Sequence, residues 1–204
     1  MEITDYKKDA QKPMSGEELI EEYAKGRRDF SNVTFETGTS LAFEDLRGAK
    51  FSRANFSGMN LNTVDISGAK LNYAIFYKTR LTCVNFRGSD LEGANFSDAR
   101  LPFSDLSFTN LAHVNFFRAD LRYADLSNVI SLKRAGFEGA DLSRANLVNA
   151  ADLEHVIGII YAIFERTHVT AKQKKIIMDA RNNPDRVRMQ FDIDEPDNKI
   201  PARK

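Results

Sequence analysis

The sequence predicts an all-β solenoid: a stack of parallel four-sided coils with a short α-helix closing each end. Three observations lead there. A large apolar residue recurs at every fifth position through most of the chain, residues 20 apart tend to share a type, and both flanks of the repeat carry helix-start signals. Such internal periodicity decides architecture before any local reading does.

The elements follow in chain order. Residues 1–14 have no apolar run and read as a disordered leader. Ser15-Gly16-Glu17-Glu18 has the form of a capping box, in which the first side chain accepts a free backbone N–H at a helix start. Leu19, Ile20 and Tyr23 then supply an apolar face and Gly26 a stop, so a capping helix is expected over 15–28.

The repeat occupies 29–169. From Leu41 the apolar series is unbroken: Leu46, Phe51, Phe56, Leu61, Ile66, and so on to Leu121 and Leu126. Single-residue insertions carry it upstream through Phe35 and Phe30, and downstream through Leu132, Phe137, Leu142, Leu147, Leu153, Ile159, Phe164 and Val169. That gives 28 centres with insertions between 35 and 41, 126 and 132, 147 and 153, and 153 and 159. Two residues before most centres stands a small or β-branched residue, such as Ala54, Val64, Ala94 or Ala124. A period of five fits neither a helix nor a simple strand. It fits a coil that turns a corner every five residues, with the centre (i) and the residue two before it (i−2) pointing inward. Sorting the centres by 20 tests this. One column is all phenylalanine (35, 56, 76, 96, 116, 137) and another all leucine (41, 61, 81, 101, 121, 142). Seven coils spaced roughly 4.7–4.9 Å apart make a rod about 30 Å long.

After the repeat, Thr170-Ala171-Lys172-Gln173 is a second capping box, followed by Ile176, Ile177 and Ala180, with Pro184 beyond; a C-terminal capping helix is expected over 170–182. The tail, 183–204, contains an alternating stretch at 186–194, with Val187, Met189, Phe191 and Ile193 on one side, which reads as a strand. It pairs along the solenoid, mediates assembly, or hangs free; the rest of the tail reads as disordered.

Composition narrows the function classes. The 204 residues carry 29 basic and 29 acidic side chains, so the cationic excess that releases phosphate counterions is missing and a nucleic-acid partner is not expected. No apolar run approaches the roughly 20 residues of a membrane span, and the N-terminus lacks the apolar core of a signal peptide. A cytoplasmic location and no membrane partner are therefore expected. Cys83 is the single cysteine, which rules out an internal disulfide or a four-thiolate metal site.

No chemistry-bearing motif emerges. His113, His155 and His168 fall in no metal-ligand spacing, no glycine-rich phosphate loop is present, and Cys83 has no histidine at a diagnostic distance. No catalytic, cofactor-binding or metal-ligating residue is assigned, no cofactor is expected, and the chain is not expected to be an enzyme. One column of acids, Asp45, Asp65, Asp105 and Asp125 with Asn85 among them, could raise its members' pKa values and suggest a glycosidase-like pair. Arg47 and Arg87 lie beside it and neutralise part of the charge. The candidate surface is instead aromatic. Phe43, Tyr73, Tyr77, Phe103, Phe108, Phe117 and Tyr123 take outward positions i+1 or i+2, and exposed aromatic clusters mark interaction sites. The patch assigned to a protein partner is Tyr73, Tyr77, Phe103, Phe108, Phe117 and Tyr123. Alternatively the tail strand or a terminal helix covers these rings, or they are scattered singly.

The repeated pattern, as in Ala94-Asn95-Phe96 and Ala124-Asp125-Leu126, resembles the A-(D/N)-(L/F)-x-x signature of the pentapeptide-repeat family over roughly residues 29–169. The resemblance implies a right-handed quadrilateral β-helix. It also implies an alternative function, since some members are dimeric DNA mimics that protect type II topoisomerases. Mimicry needs strong net negativity, whereas residues 29–169 hold 16 acidic and 14 basic side chains. The family's dimer forms through C-terminal coils; here two capping helices favour a monomer, with a C-terminal dimer as the other option. The segment EELIEEYAKGRRDF is similar to the N-terminus of cyanobacterial members, some of which regulate cell differentiation by binding a transcription factor. The reading that follows is a non-catalytic scaffold or regulator for an unidentified protein partner.

Overall fold

The computed structural model describes residues 12–181 and 190–193. The leader before residue 12, the tail after 193 and positions 186–189 of the expected strand lie outside the described residues. Helix α1 spans Gly16–Ala24 and helix α2 Ala171–Arg181; strands β1 (Glu165–Val169) and β2 (Gln190–Ile193) pair in parallel. Between Phe30 and β1 the chain is a ladder of single parallel bridges between neighbouring turns, broken near its end by two 3₁₀ turns.

The bridges give the coil directly. Ser40 pairs with Asn60, Asn60 with Arg80, Arg80 with Arg100 and Arg100 with Asp120, each 20 residues on. The step lengthens where the insertions fall: Thr34 pairs with Asn55, Asn110 with Ser131, and Asn146 with His168. At the last insertions the regular corner is replaced by 3₁₀ turns at Leu153–His155 and Ile159–Tyr161.

The pentad around Phe96 accounts for all five of its backbone amides, as buried amides must be. Around Phe96, the N–H groups of Phe96 and Asp98 donate to the carbonyls of Asn115 and Phe117 one coil on, at 2.8 and 2.9 Å. That of Arg100 donates back to Thr79 at 3.0 Å, and that of Ala99 closes the corner onto the Phe96 carbonyl at 3.0 Å. The fifth, on Ser97, donates to the side-chain Oδ1 of Asn95 at 3.0 Å. This is why Asp or Asn recurs just before the centre: it supplies the one acceptor that the backbone cannot. The corner geometry also requires a left-handed residue at i+2. Every such residue from Phe43 to Asn149 has φ between 52° and 72°, which suits glycine and strains a bulky side chain.

The core is the stack of centres and i−2 residues, buried from Leu46 to Leu126 and half-buried at Phe35, Thr39 and Glu44 near the front. The phenylalanine column is continuous, with neighbouring ring centroids 4.6–5.3 Å apart from Phe35 to Phe137. Leu153, Ile159, Phe164 and Val169 are also buried. Where an i−2 residue is polar, its hydroxyl finds a carbonyl: Thr79 Oγ1 donates to Phe56 and Ser89 Oγ to Ile66, at 2.8 and 2.9 Å.

At the front, Ser15 Oγ accepts the Glu18 N–H at 3.0 Å, Leu19 is fully buried, and Tyr23 Oη donates to the Arg47 carbonyl at 3.0 Å. Met14 was expected in the disordered leader. It instead extends the ladder beneath the first coil, bridged to Phe35 and nearly buried, because its N–H reaches the Thr34 carbonyl at 2.8 Å. At the back, Gln173 and Thr170 form a reciprocal capping box, and the buried Gln173 Nε2 donates to the carbonyls of Leu147 and Ala150 at 2.7 and 3.1 Å. Val169 pairs with Ile193 and Thr167 with Phe191, so β2 lies against the ladder edge that would otherwise offer unpaired backbone groups.

Phe96 packs between two parallel rings and edge-on to Phe86, in a column that cannot collapse around a gap. Phe96→Ala is expected to lose roughly 3–5 kcal/mol of stability, read from urea denaturation; a loss below about 1 kcal/mol would show that the column relaxes.

Candidate protein-binding surface

The four corners of a coil separate four sides, named here by their centres. The Phe side is followed by the Leu side, then by the side carrying the aspartate column, then by a fourth that begins at Phe30. The seven outward aromatics are exposed, but the structure does not gather them into one patch. Tyr77 and Phe117 stand on the corner between the Phe and Leu sides, two coils apart with Ser97 between them. Phe103 and Tyr123 stand on the next corner, beyond the Leu side. Their rings stack at 4.7 Å and 12°, and they remain 57% and 42% exposed. Phe43 lies at the front of that same column, 81% exposed and three coils from Phe103. Tyr73 and Phe108 sit on the other two corners. Four of the six assigned residues thus frame the Leu side, and two face away from it.

Most of these rings carry a cation. Arg87 lies 4.3 Å over Phe108, Arg118 4.8 Å over Phe117, and Lys78 5.0 Å from Tyr77. Arg144 covers Tyr123 at 5.3 Å and donates to its Oη at 2.7 Å. Tyr73 has Arg53 at 5.9 Å and lies across Gly93 of the next coil, where any Cβ would come within 2.5 Å of the ring. Among the described residues, Phe103 alone of the framing four is met by another ring and no cation.

The acidic column resolves differently from a catalytic pair. Oδ1 of Asp45, Asp65, Asn85, Asp105 and Asp125 each accepts the N–H two residues on, at 2.9–3.2 Å. Asp45 is not raised: its hydrogen bonds from the Arg47 guanidinium, at 2.8 and 2.6 Å, hold its carboxyl below the ordinary value. On the Leu side, Asp120 is likewise lowered, first by the hydrogen bond from Arg122, with burial opposing.

His113 occupies a corner, His168 pairs with Asn146 in the ladder, and Cys83 is exposed on a corner. Two further features leave no signal in simple residue spacing. Asp152, Glu154 and His155 bring donor atoms within 4.8 Å of one another on the first 3₁₀ turn, where Ser131 Oγ already donates to Asp152 at 2.7 Å. Ile157 and Ile163 take ladder positions normally held by Asp or Asn and are half exposed. Only the register through the last insertions reveals them.

The pentapeptide-repeat family model matches in eight copies, over residues 29–68, 64–98 and 94–130. The chain belongs to the pentapeptide-repeat family. No match was found among curated proteins. Among solved structures, the chain is similar to a pentapeptide repeat protein of the Arabidopsis thaliana thylakoid lumen (23% identity, 68% of this chain and 90% of that one, TM-score 0.40). It is similar to HetL of the cyanobacterium Nostoc, a family member involved in heterocyst differentiation regulation (23%, 80% and 76%, TM-score 0.23). It is also similar to QnrB1, a plasmid-mediated fluoroquinolone resistance protein (18%, 74% and 86%, TM-score 0.35). Among the described residues, no helix is long and apolar enough to cross a membrane.

The lowered Asp120 carboxyl gives a pH dependence with a definite sign. Its contribution is present above the ordinary value of 3.8 and is lost as pH falls through the lower folded value. The melting temperature of the parent is expected to fall on acidification below about pH 4. Asp120→Asn keeps the acceptor for the Arg122 amide, so it should melt lower at neutral pH and fall less steeply; identical profiles would show that the pair contributes nothing.

Proposed function

We propose that the chain is a non-catalytic scaffold or regulator that presents one side of a rigid β-helix to a protein partner. The Phe103–Tyr123 stack carries this reading. Both rings are exposed, and both stand on left-handed backbone, with φ of 62° and 61°. Bulky residues in such conformations cost on the order of 1–3 kcal/mol, while glycine fills the equivalent position at Gly48, Gly68 and Gly88 without strain. Among the described residues nothing offsets that cost by burying the rings, and a bound partner would.

The finer architecture proposed with it is a rod of about seven coils, wound in the family's right-handed sense. Its ends are closed by α1 and α2, leaving the sides as the binding surface of a cytoplasmic monomer. Zero net charge favours a protein partner over nucleic acid and weighs against topoisomerase protection by DNA mimicry.

The test is affinity capture from native lysate with identification of bound proteins, run beside Phe103→Ser/Tyr123→Ser. A stoichiometric partner captured by the parent and lost by the folded double variant is expected. Full retention of every specific partner would remove this surface from consideration.

A further inference from the structure

The outward ladder residue of each pentad is ordinarily an Asp or Asn that accepts the N–H two residues on. On the Leu side the column runs Ser40, Asn60, Arg80, Arg100, Asp120, Asp141 and Ile163, each bridged to the next. Two arginines therefore stand directly opposite each other on adjacent strands, where like charges repel. Arginine cannot accept a hydrogen bond, yet neither substitution leaves an amide without a partner. At Arg80 the task passes to Asn62, whose Oδ1 accepts the Thr82 N–H at 2.8 Å. At Arg100 the residue two on is Pro102, which has no N–H. The backbone is arranged to accommodate the pair.

Among the described residues the pair also lacks counter-charge. Asp120, the next rung, is engaged bidentately by Arg122, whose Nε and Nη2 both donate at 2.8 Å; the Arg122 Nε also lies 3.8 Å from Asp141. Arg100 contributes only the weakest of the influences on Asp120. Among the described residues, no side-chain hydrogen bond or ion pair engages the guanidinium of Arg80 or Arg100, and both residues are exposed. The other basic pair in a ladder, Lys50 and Lys70, differs: Asp29 and Asp90 are its bridged neighbours above and below.

The framing aromatics complete the surface. Tyr77 and Phe117 border one edge of the Leu side and the Phe103–Tyr123 stack the other. Arg100 and Phe103 are three residues apart, at most about 10 Å along the chain. We infer that this side docks an acidic segment of the partner protein, its carboxylates on Arg80 and Arg100 and an apolar or aromatic side chain against Phe103 and Tyr123. The inference rests on the scaffold reading above and specifies the partner's chemistry. Guanidinium suits this role, since it forms paired, charge-assisted hydrogen bonds to carboxylate. Two free cations are too few for the run of phosphate contacts that nucleic-acid binding requires.

The experiment is selection of a random peptide display library on the immobilised full chain, compared with Arg80→Gln/Arg100→Gln and with Phe103→Ser/Tyr123→Ser. Recovered peptides are expected to combine Asp or Glu with an aromatic a few residues away. The best of them, synthesised, should bind the arginine variant about tenfold more weakly and lose affinity with added salt. The arginine variant should melt at or above the parent, because a repulsion has been removed; weak binding by it then cannot come from unfolding. Recovery of neutral or basic peptides, or equal binding to the arginine variant, overturns the inference while leaving the scaffold reading intact. Failure to recover any peptide overturns both. A fluorescein-labelled single-stranded DNA that binds the parent and not the arginine variant would reassign the surface to nucleic acid and overturn the inference.

Discussion

Five backbone amides per pentad must find acceptors, and the solution found here dictates most of the molecule. Three of them bond to adjacent coils and one closes the corner, which fixes the stacking direction and the left-handed residue at i+2. The remaining amide falls to the side chain before the centre, which selects Asp or Asn there. With these assignments made, the centre and i−2 side chains have nowhere to point but inward, and the phenylalanine column follows. The ladder is thus prior to the core: the rings stack at 4.6–5.3 Å because the strands beneath them are spaced at nearly that distance.

Because each coil touches only its neighbours, a change on one rung is felt on the adjacent ones and little further. This explains how the chain absorbs insertions. The bridge offset grows from 20 to 21 and then 22 residues towards the C-terminus, yet the buried columns stay in register. Residues added at Leu153–His155 and Ile159–Tyr161 are taken up by 3₁₀ turns flanked by the left-handed Asp152 and Gly158. The same locality lets single outward positions depart from the pattern without a penalty to the whole rod.

The columns were legible in the sequence because a period of 20 has no origin in a five-residue repeat except stacking. The buried state of Phe96 or Leu101 could be stated from spacing alone. Both helix starts were legible from Ser15 and Thr170, since capping uses residues three apart. What spacing could not convey was side-chain bonding across coils. The role of Gln173, reaching to Leu147 and Ala150, depends on how α2 sits on the last coil. The aspartates read from sequence as stacked carboxylates because the amides they accept were invisible. Of the aromatic candidates, register placed Phe103 over Tyr123, whereas the wide separation of Tyr73 and Phe108 follows from assigning all four corners in space.

The sides differ in how completely they satisfy themselves. On the side bearing the aspartate column, Asp45 binds Arg47, Arg87 donates to Ser107 while covering Phe108, and Asn146 donates to Asp125. Its charges and ring are largely consumed by one another. The Leu side retains a repelling arginine pair and is edged by two strained, exposed rings. These are local costs in a structure that shows cheaper residues at equivalent positions: Asn60 in the ladder and Gly48, Gly68 and Gly88 at corners. Locality prevents the core from demanding such residues, because no buried side chain depends on which group projects outward at Arg80 or Phe103. Their cost is therefore not a by-product of folding. Strained rings recur on the other corners at Tyr73 and Phe108, so what sets the Leu side apart is the repelling arginine pair between its framing aromatics.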